Sequence, residues 1–202
     1  VELPTGANGR GLPAIQIVDM IGEIRRGNNG IFSAQLIADL GQVVSNKKQA
    51  MMFINRRGYS SFMRCRDCGY VAKCTDCDVS LVYHREDNRL KCHYCGKQFK
   101  VLSHCPNCKS DNIKYGAVGT EQVVSKLKEL FPGVKILRMD NDTTSTKNSH
   151  QKILSEFKNS LPAILVGTQM IAKGHDFENV TLVGIVDADQ SLFQADYRST
   201  ER

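Results

Sequence analysis

The sequence predicts an α/β fold, a mainly parallel sheet flanked by helices, with a cysteine-only, two-metal module inserted into it. Two observations carry this. Short apolar runs alternate with stretches whose apolar residues recur at helical spacing, the rhythm of strand–helix–strand crossovers. All eight cysteines lie in one segment as four C-x-x-C pairs: Cys65-Arg-Asp-Cys68, Cys74-Thr-Asp-Cys77, Cys92-His-Tyr-Cys95 and Cys105-Pro-Asn-Cys108. With 202 residues and 41 % hydrophobic content, the chain has room for one medium domain plus such an insert.

The elements follow in order. Ile15-Gln-Ile-Val-Asp-Met20 is a β-rich run, and Gly27-Asn-Asn-Gly30 is a loop. Ser33 is placed to cap a helix over Ala34–Ser45, with Leu36, Ile37, Leu40, Val43 and Val44 on one face. Lys47–Gln49 makes a polar break before Ala50-Met-Met-Phe-Ile54, a continuous apolar run that reads as a strand buried on both faces. After the cysteines, Thr120 is placed to cap a helix over Glu121–Phe131, which Pro132-Gly133 stops. Val134–Met139 reads as a strand, Ser149–Lys158 as a helix, and Ala163–Val166 and Thr181–Val186 as two more strands. Loops at the carboxyl ends of such strands are where parallel sheets bind ligands.

Eight thiolates suit two tetrahedral, sulfur-only zinc sites, and their softness argues against calcium or magnesium. A disulfide framework belongs to small secreted domains, whereas these cysteines fill one segment of a longer chain with no visible signal peptide. A redox C-x-x-C needs only one pair, and iron–sulfur ligation fits the repeated knuckle spacing less well than zinc does. A reducing, cytosolic setting suits metal-bound thiolates, and no run has the length and apolarity of a membrane span.

Val79–Tyr83 and Arg89–Lys91 flank Glu86-Asp-Asn88 and read as a β-hairpin. A hairpin there returns Cys92 to Cys77 and predicts nested pairing. Cys65, Cys68, Cys105 and Cys108 would then share the first zinc, and Cys74, Cys77, Cys92 and Cys95 the second. Sequential pairing would need the Gly69–Lys73 loop to fold back tightly. His93 and His104 are spare, facing solvent or supporting the ligands from outside. The module is expected to be stiffened by metal rather than by a core of its own.

The formal net charge is +6, and residues 64–109 hold nine basic residues against five acids. Metal-bound thiolates carry negative charge and offset this locally, so the excess hints at nucleic acid without establishing it. Arg56-Arg57, at the end of the first sheet strand, holds phosphate or simply solvates a strand end. In Gly167-Thr-Gln-Met-Ile-Ala-Lys-Gly-His-Asp-Phe177, Thr168 and nearby backbone N–H groups suit a phosphate, Gly174 permits close backbone approach, and Asp176 suits a ribose. On composition alone, an ordinary connection with a glycine turn and a capping Asp is the better reading of that loop.

The stretch Ile164-Leu-Val-Gly-Thr-Gln-Met-Ile-Ala-Lys-Gly-His-Asp176 resembles motif V of superfamily 2 helicases. Phe53-Ile-Asn-Arg-Arg-Gly-Tyr59 followed by four knuckles resembles the bacterial replication-restart helicase family. So do Gly119-Thr-Glu121, Arg138-Met-Asp-Asn-Asp-Thr-Thr144 and Leu192-Phe-Gln-Ala-Asp-Tyr-Arg-Ser-Thr-Glu-Arg202. The resemblance covers nearly all residues from about Leu12 onward. It implies a second RecA-like helicase lobe, residues 1–64 and 109–202, with the zinc module at 65–108. It implies an ATP-driven, magnesium-dependent 3′→5′ DNA helicase of the bacterial cytoplasm and nucleoid. Forked and single-stranded DNA, other primosome proteins and single-stranded-DNA-binding protein are its implied partners. Thr168 would then touch the DNA backbone, Lys173 would occupy the motif's basic position, and Gly174 and Asp176 would lie at the ATP cleft.

The chain departs from the whole-family pattern. It contains no G-x-x-x-x-G-K-[ST] loop and no Asp-Glu metal motif after one. Leu182-Val-Gly-Ile-Val-Asp187 mimics a Walker B strand only superficially, so Asp187 and Asp189 read as structural or cleft-lining. A chain that opens on Val1 without Met and closes at Arg202, before the expected arginine motif, reads as an excerpt that does not hydrolyse ATP alone. The competing reading is a zinc-ribbon module that binds protein or nucleic acid without motor activity.

Overall fold

The computed structural model describes residues 13–54, 62–84, 86–116, 118–140, 143–144, 149–171 and 176–189. Its first helix, α1 (Met20–Arg25), begins where Asp19 Oδ1 accepts the Ile21 N–H at 2.9 Å. The strand expected over Ile15–Met20 is absent: residues 13–19 have no regular structure, and Ile15 and Ile17 are 86 % and 93 % exposed. Alternating apolar residues make a strand only beside a neighbour to pair with, and no strand among the described residues pairs with them.

Helix α2 (Ala34–Ser45) is capped by Ser33, whose Oγ accepts the Leu36 N–H at 3.1 Å. Glu23 gives it a second cap. This buried carboxylate accepts the Ala34 N–H at 2.7 Å, together with Asn28 Nδ2 and Arg26 Nη2 at 2.7 Å each. Those bonds, the Ala34 N–H foremost, hold the Glu23 pKa down from 4.5 to about 2. A depressed carboxylate stabilises the fold above its unfolded pKa and loses that effect as pH falls through the folded value. Stability is therefore expected to decline between about pH 4.5 and 2. Glu23→Gln, compared by thermal melting across that range, should give a shallower acid transition.

Strands β1 (Gln49–Ile54), β7 (Lys135–Met139), β8 (Ala163–Gly167) and β9 (Val180–Val186) make one sheet in the order β7-β8-β1-β9, every neighbouring pair parallel. On one face Ala50, Met52, Ile54, Ile164 and Val166 pack against Leu40 and Val43 of α2 and Val123 and Leu127 of α3 (Thr120–Leu130). On the other, Leu137, Met139 and Leu165 meet Phe157 of α4 (Ser149–Asn159). All five residues of β8 are buried, which is why its run is apolar throughout. Gln49, which reads as part of a polar break, instead starts β1 fully buried. Its side-chain amide donates to the carbonyls of Phe157 at 2.6 Å and Ser160 at 2.9 Å, tying β1 to the end of α4.

The expected cap of α3 also differs. Gly119 occupies that position, while the buried Thr120 hydroxyl donates to Asp140 Oδ2 at 2.6 Å, with Arg138 Nε on the same oxygen at 2.6 Å. Burial works against the Asp140 carboxylate, but these bonds together leave its pKa below the usual range. Thr120 therefore joins the start of α3 to the carboxyl end of β7.

Between β1 and α3 lies the cysteine module. Strands β2 (Met63–Cys65) and β6 (Ile113–Tyr115) enter and leave it as an antiparallel pair. A three-stranded antiparallel sheet stands between them, β3 (Val82–His84), β4 (Arg89–Lys91) and β5 (Gln98–Lys100). The hairpin expected from the sequence is the β3–β4 pair, shifted toward His84, and β5 is an addition to it. The module also has a small core that metal alone does not replace. Met63, Ala72, Leu81 and Leu90 are buried among Cys74 and Cys92, with Tyr83, Phe99 and Tyr115 packed around them.

Candidate metal centres

Each C-x-x-C folds into the same tight knuckle. The backbone N–H of the first cysteine donates five residues ahead: Cys65 to Tyr70, Cys74 to Val79, Cys92 to Lys97 and Cys105 to Ser110, at 2.7 to 2.9 Å. The residue after the second cysteine donates back to the first: Gly69 to Cys65, Asp78 to Cys74, Gly96 to Cys92 and Lys109 to Cys105. That residue is left-handed in all four knuckles, with φ of 75°, 52°, 74° and 64°. Two are glycines, for which the conformation is free; Asp78 and Lys109 adopt it against their Cβ.

The β3–β4 hairpin then folds the knuckles together. The eight sulfurs gather as Cys65, Cys68, Cys105 and Cys108, and as Cys74, Cys77, Cys92 and Cys95, each set within 4.8 Å. This is the nested arrangement. Cys65 and Cys108 Sγ lie 3.5 Å apart, Cys68 and Cys105 3.6 Å, and Cys74 and Cys95 3.7 Å. A disulfide needs about 2.05 Å. A tetrahedral zinc with bonds of about 2.3 Å sets its sulfurs about 3.8 Å apart. The spacing therefore fits an ion between the sulfurs rather than bonds among them. Backbone N–H groups support the charge such an ion needs. Cys68 is pulled down to about 7, first by the Tyr70 N–H, and Cys92 to about 7, first by the Cys95 N–H. Cys77 is pushed up to about 12, first by its contact with Cys95. A divalent cation relieves that crowding.

A second device repeats in both centres. The acid inside the first knuckle reaches the residue two places beyond the last cysteine of its cluster. Asp67 accepts from Ser110 Oγ and, at 2.8 Å, from Asn112 Nδ2. Asp76 takes Lys97 Nζ at 2.9 Å. The Ser110 bond, with Asn112 next, holds the Asp67 pKa below the usual carboxylate range. Asp67→Ala should weaken zinc at the outer centre by about tenfold, the usual scale for a group that orients ligands without binding metal, with a smaller loss for Asp67→Asn. Competition with a chromogenic chelator measures it. The C-x-Asp-C pattern stands in the sequence, but its partner does not emerge until the knuckles are folded.

His93 and His104 stay outside both sulfur sets. His93 Nε2 lies 2.9 Å from His84 Nε2, and His104 Nδ1 2.9 Å from Ser103 Oγ.

The remaining candidates divide. Arg56, Arg57, Lys173 and Gly174 lie outside the described residues. Thr168 is half-buried directly after β8, at the carboxyl edge of the sheet. Before it, Gly167 lies so near β7 that an added Cβ would stand 2.6 Å from the Met139 carbonyl oxygen. Asp176 is exposed at the opposite, amino edge, beside Phe177, whose ring meets Phe157 edge-on at 5.1 Å. The loop thus separates its first and last polar residues rather than converging them. Asp187 and Asp189 both bind Arg64, the residue before the first knuckle, at 2.9 and 3.0 Å.

Residues 92–200 match the helicase conserved C-terminal domain, and residues 74–99 match the Cys-rich region domain of PriA DNA helicase. The chain is 49 % identical over its whole length to the replication restart protein PriA of Bacillus subtilis, of which it covers 25 %. It is 45 % identical, again over its whole length, to that of Synechocystis, covering 25 % of it. With that of Borreliella burgdorferi it shares 41 % identity over 84 % of its own length and 26 % of the relative's. The chain thus spans about a quarter of the length of the curated relatives it matches.

Proposed function

Because the chain belongs to the helicase conserved C-terminal domain family and carries the PriA Cys-rich region, we propose that it supplies the second motor lobe and zinc module of an ATP-dependent 3′→5′ DNA helicase. In this reading the whole protein binds forked and single-stranded DNA at stalled replication forks, opens the duplex, and assembles a primosome with other primosome proteins and single-stranded-DNA-binding protein, in the bacterial cytoplasm and nucleoid. One observation carries the proposal. Two nested four-thiolate clusters are spliced, through the β2–β6 pair, between a strand and a helix of a parallel sheet.

The outer four cysteines would hold one zinc and the inner four the other. Zinc supplies rigidity here, since four thiolates leave no open position for a reacting water. ATP and Mg2+ would act between this lobe and another, because the chain has no G-x-x-x-x-G-K-[ST] to cradle phosphates. Thr168, Lys173, Arg56 and Arg57 are proposed to contact the DNA backbone, and Gly174 and Asp176 to line the ATP cleft. The carboxyl-edge position of Thr168 supports its part in this, as ligands of parallel sheets bind there.

The test uses the protein at the length of its relatives. DNA-stimulated ATP turnover and unwinding of forked DNA are expected, and Asp176→Ala should lower turnover by about tenfold. Unchanged turnover in that variant would remove Asp176 from the cleft. Forked-DNA binding without any strand separation would instead favour the zinc-ribbon binding module without motor activity.

A further inference from the structure

Among the described residues, the module is held to the motor lobe at two points, both beside the first metal ligand, Cys65. On one side, Arg66 Nη2 donates to the carbonyls of Asn29 and Gly30, each at 3.0 Å, just ahead of α2. Beneath the same knuckle, Gly69 packs so closely on α1 that an added Cβ would stand 2.9 Å from Ile21 Cδ1. This contact is made of neutral groups and one cation, and it seats the outer centre on the helices.

The second point differs in kind. Arg64 Nη2 donates to Asp187 Oδ1 at 2.9 Å, and Nη1 to both oxygens of Asp189, at 3.0 and 3.2 Å. Asp187 is the first residue past β9, at the carboxyl edge of the parallel sheet, and its backbone is left-handed with φ 54°. A non-glycine residue keeps that conformation only where its surroundings hold it. Arg64 lies opposite Lys114 in the β2–β6 register, so two cations stand side by side, an arrangement that is unfavourable without acids nearby. Asp187 and Asp189 supply them. The Arg64 side chain is 24 % exposed and that of Asp187 15 %, so this pair is screened less than a surface pair.

We propose that Arg64 is a positioning residue that links the carboxyl edge of the motor sheet, through Asp187 and Asp189, to the outer metal centre, and so passes motion of that edge to the zinc module. The lever is short: Arg64 precedes a metal ligand, and Asp187 directly follows a sheet strand. Arg66 on the far side of Cys65 acts as the fulcrum. The inference rests on the motor reading. It adds that ATP turnover and strand separation are joined through this ion pair.

Arg64→Ala in the full-length protein is the test, with Asp189→Asn, at the more exposed end of the pair, as the milder second variant. DNA-stimulated ATP turnover should stay within about twofold while base pairs opened per ATP fall by about threefold or more. Zinc content should remain at two per chain. Hydrogen exchange should rise in β2, β6 and residues 187–189 and stay unchanged in β8. Turnover and unwinding falling in proportion, unwinding unchanged, or exchange unchanged at β2 and β6 would each overturn the proposal. A wild-type protein without DNA-stimulated turnover would sink the motor reading instead, and the exchange measurement would still decide whether Arg64 anchors the module.

Discussion

Cys74→Ser combined with Cys92→Ser is expected to lower the zinc content from two to one per chain and leave the parallel sheet folded. Both cysteines belong to the inner cluster, with Cys74 2 % and Cys92 1 % exposed. Binding of a structural zinc has an apparent free energy on the order of 10 kcal/mol or more. Two thiolates of four cannot retain it, so the inner centre empties while the outer one keeps all four ligands. Sequential pairing predicts otherwise, since Cys74 and Cys92 would then serve different ions and both would weaken. Metal analysis of the purified variant, with circular dichroism to follow the sheet, separates the two cases. The small core of the module, Met63, Ala72, Leu81 and Leu90, should hold the β3–β4 hairpin only loosely once the inner ion has gone.

Phe157→Ala should destabilise the protein by about 3–5 kcal/mol, the range for removing a large, fully buried aromatic side chain. Phe157 is 0 % exposed and sits where three features meet. It fills the α4 face of the sheet against Leu137, Met139 and Leu165, its carbonyl accepts from Gln49, and its ring supports Phe177 beside Asp176. Chemical denaturation reads the loss. Phe157→Leu, which keeps most of the volume but loses the edge-on ring contact, should lie well below it. Equal effects from the two would mean that the edge-on ring contact, not the filled volume, sets the cost there.

The parts of the fold legible in the sequence are those set by local pattern. Ala50–Ile54 and Ala163–Val166 read as buried strands because continuous apolar runs leave few other choices, and both are central in the sheet. The nested gathering of the cysteines followed from one hairpin between Cys77 and Cys92. What escaped depends on distant partners. Ile15-Gln-Ile17 alternates like a strand but pairs with no strand among the described residues. Gln98-Phe-Lys100 carries one apolar residue in three and becomes a strand only because β4 lies beside it. Thr120 looks like a helix cap, yet Asp140 claims its hydroxyl from across the fold. The Arg64 pair with Asp187 and Asp189 joins residues more than a hundred positions apart, and no spacing rule reaches that far.

The central claim is that two four-thiolate zinc centres brace a module set into a motor lobe. Zinc-edge X-ray absorption combined with total metal analysis tests it most directly. The expected result is two zinc ions per chain, each with four sulfur neighbours at about 2.3 Å and no nitrogen contribution. One zinc per chain, an iron charge-transfer band, or a histidine nitrogen in the first coordination shell would contradict it.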